Sequence, residues 1–143
     1  MLAPQADKGP QVEQFVVVVG AGSFRAEDDH AVRLPHRWTP DGVTVEADFT
    51  GAHLLHLAVA GCVLNDVYRE ANERGIRVDG VRVTASGGFD THTWASTGIT
   101  YGVEIDCTGS AEQRAQLVER VDRVAEIPRA IRAGATVRRS GPT

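Results

Sequence analysis

The sequence has few cysteines, few aromatic residues and no excess of positive charge. Its 143 residues include 2 cysteines, and aromatic residues make up only 6%. Two cysteines are too few for a disulfide scaffold, so we expect a reducing compartment, the cytoplasm, where a thiol stays free. The formal net charge of −4 argues against a nucleic-acid-binding protein, which usually carries a basic excess. No apolar run approaches the roughly 20 residues that a membrane span needs, so we expect no membrane association.

The length and composition are those of one folded domain. Apolar residues make up 42% and charged residues 24%, which is ordinary for a soluble globular protein. Residues 1–11 show no periodic pattern and lack the basic start and apolar stretch of a secretory signal. We therefore predict a flexible N-terminal tail at 1–11, a domain at 12–139 and a short C-terminal tail at 140–143.

Valine-rich and alternating segments predict strands. The four valines at 16–19 favour a strand, because β-branched side chains fit the pleat and lose freedom in a helix. Alternation of apolar and polar residues supports the other strands. These are predicted at 24–34, 42–49, 76–83, 99–105 and 135–137, and residues 85–97 are interpreted as a loop or a weak strand extension.

The longest helical pattern covers residues 52–74 and is closed by Gly75, a residue that tolerates the left-handed cap conformation. The first half of this helix is apolar on every side, which requires protein all around it. Since a chain of this size cannot encase it alone, we expect a second copy of the chain to complete the burial. A capping box at Ser110 and a short helix at 128–133, ended by Gly134, follow. The element order predicts an α+β fold with mainly antiparallel sheets.

Gly20 and Gly22 follow a valine strand, as the glycines of a dinucleotide-binding turn do. That fingerprint has a third glycine, but this sequence has Arg25 at that position, and no helical pattern follows. We interpret the segment as a hairpin turn or bulge and expect no cofactor.

Cys62 is the most informative residue, and its pattern alone leaves two interpretations open. It is either a small apolar residue of the core or a nucleophile, which needs a cation nearby to lower the pKa of its thiol; Asp66, one turn later, would act against that. At about 100° per residue, His53 lies about 180° and His56 about 120° from Cys62 around the helix. We therefore expect capping or buried hydrogen-bonded histidines and no metal site, whereas Trp94 is a candidate pocket residue.

Three segments carry a resemblance to a known family. The run HLLHLAVAGC at 53–62 and the motif GIRVDGV at 75–81 resemble the central helix and next strand of the OsmC/Ohr superfamily. The segment VAEIPRAIRAGATV at 124–137 resembles the superfamily's C-terminal motif, and the resemblance covers about residues 12–139. It implies an intertwined homodimer with antiparallel sheets around the long central helices. It also implies a cysteine-dependent reductase of organic hydroperoxides, in which a second cysteine resolves the oxidised one, an arginine holds the thiolate and a glutamate orients the arginine.

The sequence matches this pattern only in part. Cys62 matches the attacking cysteine, but Ile127 stands where the second cysteine belongs. His53 stands at or beside the position of the glutamate. The arginine lies in the N-terminal strands, where we select Arg25. The alternative arginines are Arg33 and Arg37.

Three hypotheses about function follow, and the sequence leaves open whether the protein is an enzyme. The first is a one-cysteine hydroperoxide reductase with Cys62, Arg25 and His53 as catalytic residues and an external thiol as reductant. The second is a non-redox enzyme, such as a hydrolase, acyl transferase or cyclase, with Cys62 as nucleophile and His53 or His56, from either subunit, as base. The third is a non-catalytic dimer that binds a small apolar ligand. In each case His56 and Trp94 are candidate pocket residues.

Overall fold

One antiparallel sheet and one long helix form most of the fold. The computed structural model describes residues 12–141, so the tail predicted at 1–11 lies outside the described residues. The elements are β1 (Val12–Gly22), β2 (Val32–Leu34), β3 (Val43–Glu46), α1 (Gly51–Glu73), β4 (Val78–Asp90), β5 (Ser96–Cys107), α2 (Ala111–Val124) and α3 (Glu126–Ala133). The strand order is β2-β3-β1-β4-β5, with every neighbouring pair antiparallel. The predicted α+β fold is confirmed.

The two faces of the sheet differ in polarity. Alternate residues of β1, such as Val17 and Val19, are buried and pair with Ala85 and Val83 of β4. The other face is polar, and Arg82 pairs there with Glu104 across β4 and β5. Because successive side chains of a strand point to opposite faces, this alternation fixes which face α1 covers. The buried residues that α1 contributes to the core are Ala60, Val63, Leu64, Val67, Tyr68 and Ala71.

The helix α1 starts and ends close to the predicted positions. Thr50 caps its first turn by accepting a hydrogen bond from the His53 amide at 3.1 Å. Gly75 follows its end with a φ of +67°, the left-handed conformation that glycine adopts most easily. Although the first half of α1 is apolar all round, Leu54 is 39% exposed and Ala58 is exposed. A single chain therefore leaves an apolar strip of α1 uncovered.

The start of α2 and both ends of α3 lie within two residues of the predicted positions. Ser110 and Gln113 form the capping box of α2, each side chain bonding to the backbone of the other. Helix α3 begins at Glu126, two residues earlier than predicted, and Gly134 ends it with a φ of +72°. Pro128 is buried in the first turn of α3, where its missing amide hydrogen costs nothing.

The structure corrects some predicted strands. Within the predicted strand 24–34, only Val32–Leu34 is a strand, because residues 23–31 form turns in which the side chain of Asp28 bonds to the backbone of His30. The predicted strand 42–49 is shortened to Val43–Glu46. Residues 135–137 form no strand, and Val137 is 92% exposed.

The segment 85–97 is mostly strand. β4 continues to Asp90 and β5 begins at Ser96, so the loop is confined to the five residues between them. None of the helices within residues 12–141 has the length and apolar character needed to cross a membrane.

Candidate functional site

Cys62 lies in the middle of α1, against the beginning of α3. The backbone amides of Ile127 and Glu126 hydrogen-bond to its sulfur. Ala125, the residue that precedes α3, provides no side-chain cap, and the first amides of a helix have no partner within the helix. The Cys62 sulfur is thus the neighbouring acceptor for both amides. Ile127, where the resemblance puts the second cysteine, does lie against Cys62.

The surroundings of Cys62 favour the protonated thiol. Burial raises the pKa of the Cys62 thiol, and the negative charges of Asp66 and Glu126 raise it further. The two α3 amides act in the opposite direction, because they donate hydrogen bonds that favour the thiolate. Burial is the larger effect, so formation of the thiolate requires a group that accepts the proton.

Asp66 is a buried carboxyl group four residues after Cys62, on the same side of α1. Its residue exposure is only 2%. The oxygen Oδ1 lies 3.2 Å from the Arg69 guanidinium and accepts a hydrogen bond from Asn65 at 3.4 Å. The oxygen Oδ2 is buried and has no partner among the described residues. Burial raises the pKa of Asp66, and Arg69 opposes this shift.

Further charges around Asp66 come from all three helices. On α1, Glu70 is 7% exposed, and its carboxylate lies 3.7 Å from the Arg69 guanidinium. On α2, Arg120 approaches the same carboxylate at 3.9 Å. On α3, Glu126 adds a negative charge that raises the pKa of Asp66. Arg69 is thus shared between two carboxylates.

The two histidines of α1 lie far from Cys62 along the helix. The ring of His53 is hydrogen-bonded to Thr50 at 2.6 Å, and the ring of Phe15 packs against it at 5.0 Å. His56 is fully buried and its Nδ1 donates to the Ala52 carbonyl at 2.7 Å, while Nε2 has no partner among the described residues. At a rise of about 1.5 Å per residue, His56 lies about 9 Å and His53 about 13 Å from Cys62 along the axis. Within one chain the structure brings neither imidazole to the sulfur.

Arg25 lies on the opposite face of the sheet from α1. Its Nε donates to the Gly22 carbonyl at 3.4 Å, and its guanidinium is 3.8 Å from Asp41. It lines a cavity together with Val18 and Arg82, which belong to the outward-facing set of strand residues. The structure therefore separates Arg25 from Cys62. Of the alternatives, Arg33 is exposed on β2 and Arg37 lies over the Trp38 ring at 5.6 Å.

Trp94, the other candidate pocket residue, lies in the loop between β4 and β5. Its φ is +59°, an uncommon conformation for a bulky residue. The amide of Trp94 donates to the Asp90 carbonyl at 2.8 Å. With 67% of its surface exposed, the side chain is held by the turn rather than by packing.

Cys107 and Cys62 lie at opposite ends of α2. A methyl group built on Gly109 would lie 3.6 Å from the Cys107 sulfur and 3.1 Å from Oε1 of Gln113, which places Cys107 at the start of α2. Cys62 contacts Glu126, just after the end of α2. The 14 residues of α2 span about 20 Å, whereas a disulfide needs Cα atoms within about 7 Å. Both cysteines are free.

A small cavity adjoins the contact between α1 and α3. It has a volume of about 170 Å³, and its lining includes Val59 of α1, three residues before Cys62, and Pro128 of α3, the residue after Ile127. At its rim, Arg132 lies 2.9 Å from Asp122. The remaining lining residues are Ser96, Gly98, Ile99, Tyr101 and Ile131.

No cluster of three or more potential metal-ligating side chains is present within residues 12–141.

The sequence did not predict that Asp66 and the first two residues of α3 belong to the site. The four-residue spacing from Cys62 is a visible signal for Asp66. The approach of α3 to Cys62 depends on tertiary packing and has no local signal.

Comparison with known proteins identifies relatives of the chain. The model of the family described as OsmC-like protein matches residues 43–139. The crystal structure of an OsmC-like hydroperoxide resistance protein from Jannaschia sp. CCS1 is 12% identical, covers 91% of this chain and 94% of that chain, and has a TM-score of 0.59. The crystal structure of an OsmC-like protein from Mycoplasma pneumoniae is 13% identical, with coverage of 90% and 91% and a TM-score of 0.56. At these identities the likeness establishes the fold. No curated protein matches the chain significantly.

Proposed function

Because the chain belongs to the family of OsmC-like proteins, we propose that it reduces organic hydroperoxides through Cys62, with an external thiol as the resolving reductant. The structural relative from Jannaschia is described as a hydroperoxide resistance protein, which supports the choice of substrate class. The observation that carries the proposal is the position of the Cys62 sulfur. It lies against two backbone amides at the start of α3, and Val59, three residues before it on α1, lines a small, largely apolar cavity.

The reaction uses one protein sulfur for each turnover. The thiolate of Cys62 attacks the terminal oxygen of the hydroperoxide, the O–O bond breaks, and the alkoxide leaves and takes up a proton to become an alcohol. Sulfur is thereby oxidised by two electrons to a sulfenic acid. The two amides at the start of α3 stabilise the negative sulfur before the attack, since hydrogen bonds to a charged acceptor are stronger than those to a neutral one.

The absence of a nearby second cysteine determines how Cys62 is regenerated. Ile127 occupies the position beside Cys62, and Cys107 lies beyond the far end of α2. An external thiol condenses with the sulfenic acid to give a mixed disulfide and water. A second external thiol then releases Cys62 and forms the oxidised reductant. A reducing cytoplasm supplies such thiols.

The active form in this proposal is a homodimer. Leu54 and Ala58 leave an apolar strip of α1 exposed, and burial of apolar surface favours association. A groove of about 780 Å³ between β5 and α2 adds uncovered apolar surface from Ile99, Val103 and Val118. A second chain packed on these surfaces would complete the burial of α1.

The non-redox alternative receives no support from a single chain. A nucleophile and its base need hydrogen-bond reach, but His53 and His56 lie at the start of α1, about 9 Å or more from Cys62 along the axis. The ligand-binding alternative shares the same cavity and is distinguished from the enzyme by experiment.

The test uses the reduced protein with cumene hydroperoxide and excess thiol. We expect the unaltered chain and Cys107→Ser to consume peroxide catalytically, and Cys62→Ser to lose the activity. Mass spectrometry should show one added oxygen on Cys62, or a mixed disulfide when the thiol is present. Failure of Cys62 to gain oxygen or a disulfide while the free thiol is oxidised would overturn the proposal. In that case the same cavity would favour ligand binding without catalysis.

A further inference from the structure

We propose that Asp66 donates the proton that the alkoxide takes up when Cys62 attacks a hydroperoxide. This inference rests on the proposed function and adds a residue to its mechanism. Asp66 lies one helical turn from Cys62 on the same side of α1, and its exposure is 2%. A carboxyl group so deeply buried usually has partners for both oxygens. Here Oδ2 has none among the described residues, which leaves that oxygen free to carry and donate a proton.

The contacts of Asp66 distinguish its two oxygens. Arg69 and Asn65 both approach Oδ1, at 3.2 Å and 3.4 Å. Those groups are hydrogen-bond donors, so they favour a lone pair on Oδ1 and direct a proton to Oδ2. The proton is therefore placed on the oxygen that is not bound to the guanidinium.

The charges around the site favour one proton shared between sulfur and carboxyl. The carboxylate of Asp66 disfavours a thiolate at Cys62, as two neighbouring negative charges do in general. Glu126 on α3 and Glu70 on α1 also disfavour a second negative charge. The cations that face this group are Arg69 of α1 and Arg120 of α2, and Arg120 approaches Glu70 rather than Asp66. Formation of the thiolate thus leaves a protonated carboxyl group one turn away.

Cys62 and Asp66 together account for every proton that moves in this step. The Asp66 carboxylate takes the proton of the Cys62 thiol, and the thiolate attacks the terminal oxygen of the hydroperoxide. The O–O bond breaks, sulfur becomes a sulfenic acid, and the alkoxide takes the same proton back from Asp66 to leave as an alcohol. The carboxylate is then restored. Peroxide gains the two electrons that sulfur loses, and no further reactant is needed before the external thiol acts.

Two reactions of the same sulfur separate proton donation from other roles of Asp66. Alkylation by iodoacetamide needs a thiolate but no proton for an alkoxide, whereas reduction of cumene hydroperoxide needs both. Both rates are measured from pH 5 to pH 10 by intact mass in a Cys107→Ser background. The variants are Asp66→Asn, Asp66→Glu and the control Glu73→Gln, which removes an exposed carboxylate from the same helix.

Opposite changes in the two rates are the expected result. For Asp66→Asn, loss of the negative charge lowers the pKa of the Cys62 thiol, so alkylation at neutral pH becomes faster. The oxidation rate with the hydroperoxide, divided by the alkylation rate, falls by roughly a hundredfold to ten-thousandfold, the range of a lost general acid. Asp66→Glu recovers part of this ratio, and Glu73→Gln changes neither rate.

An unchanged ratio of the two rates in Asp66→Asn would overturn the proton donation while leaving the proposed function intact. If Asp66→Asn does not fold by circular dichroism, the same comparison is made with Asp66→Ser, which also lacks a carboxyl group, and an unchanged ratio there overturns the proton donation equally. Alkylation of the unaltered chain without any oxidation by the hydroperoxide would overturn the proposed function, and with it the role of Asp66.

Discussion

The carboxyl group of Asp66 lies one helical turn from the thiol of Cys62, and its negative charge opposes ionisation of that thiol. Burial raises the pKa of the Cys62 thiol, and Asp66 raises it further. A single chain thus holds its nucleophile in the protonated form. An arginine-supported site would hold a thiolate instead. Here Arg25 lies on the far face of the sheet, so the proton of Cys62 becomes part of the mechanism.

The pH dependence of Cys62 alkylation follows from this arrangement. In the Cys107→Ser protein, we expect the alkylation rate to rise with a midpoint above the ordinary thiol value of about 8.5, because burial disfavours the thiolate. The measurement is the rate of iodoacetamide labelling by intact mass across pH, with the urea-unfolded protein as the reference. A midpoint below that of the unfolded chain would contradict the expectation and would require a cation from outside the single chain.

Replacement of Asp66 by Asn is expected to stabilise the fold more at pH 7 than at pH 4. Burial raises the pKa of Asp66 despite the opposing charge of Arg69. Such a group keeps its proton in the folded state when the unfolded chain has already lost it, so stability falls as pH rises above the unfolded value of about 3.9. Asn stays neutral and escapes this loss. Urea unfolding of both proteins at both pH values checks the prediction, and an equal or larger gain at pH 4 would contradict it.

Gly87 lies where β4, β5 and His56 meet without room for a side chain. A methyl group there would lie 2.2 Å from the Gly98 carbonyl oxygen and 2.5 Å from Nε2 of His56. Gly87→Ala is therefore expected to lower the free energy of unfolding by about 1–3 kcal/mol, the cost of overpacking.

Gly102 provides the matched control for this substitution. It is a β5 residue, and within residues 12–141 no atom other than those of its chain neighbours lies within 4 Å of a methyl group built there. We expect Gly102→Ala to be neutral or to stabilise by up to about 1 kcal/mol, because alanine restricts the unfolded chain. Equal losses of stability in the two variants, measured by urea unfolding, would show that the crowding at Gly87 relaxes without cost.

The uncovered strip of α1 provides a test of dimerisation. In the proposed dimer, Ala58 is buried against the second chain, so Ala58→Arg places a charge in an apolar contact and is expected to reduce the sedimenting mass from two chains to one. Burial of an unpaired charge is strongly unfavourable. Glu73→Arg, on an exposed turn of the same helix, should remain dimeric. A single-chain mass for the unaltered protein would refute the dimer.

Most of the fold could be predicted from the sequence, because the residues that mark the helix ends act locally. The capping box at Ser110 and the glycines at 75 and 134 fix helix ends through backbone chemistry that involves few neighbours. The ends of the strands were harder to predict from the sequence. Residues 24–34 contain β-compatible side chains, but the Asp28 side chain bonds to the backbone of His30 and stabilises a turn instead.

Only part of the site could be predicted from the sequence. One of its contacts is set by helical spacing, and the other is set by tertiary packing. The spacing of Cys62 and Asp66 is a local property, readable from helical periodicity. The position of the α3 amides on the sulfur results from the packing of α3 on α1. The side of the sheet occupied by Arg25 results from the turn after β1, whose geometry the sequence does not specify. The backbone amide of Ile127, the residue that the resemblance puts in the place of the second cysteine, lies at the Cys62 sulfur.

The contact of the Cys62 sulfur with the first amides of α3 makes the start of this helix sensitive to oxidation of the sulfur. Glu126 and Ile127 rely on this sulfur for hydrogen bonds that no side chain of Ala125 offers. Any oxygen or thiol adduct on the sulfur alters those bonds. Deuterium uptake at these two amides is therefore expected to differ between the reduced and the oxidised protein.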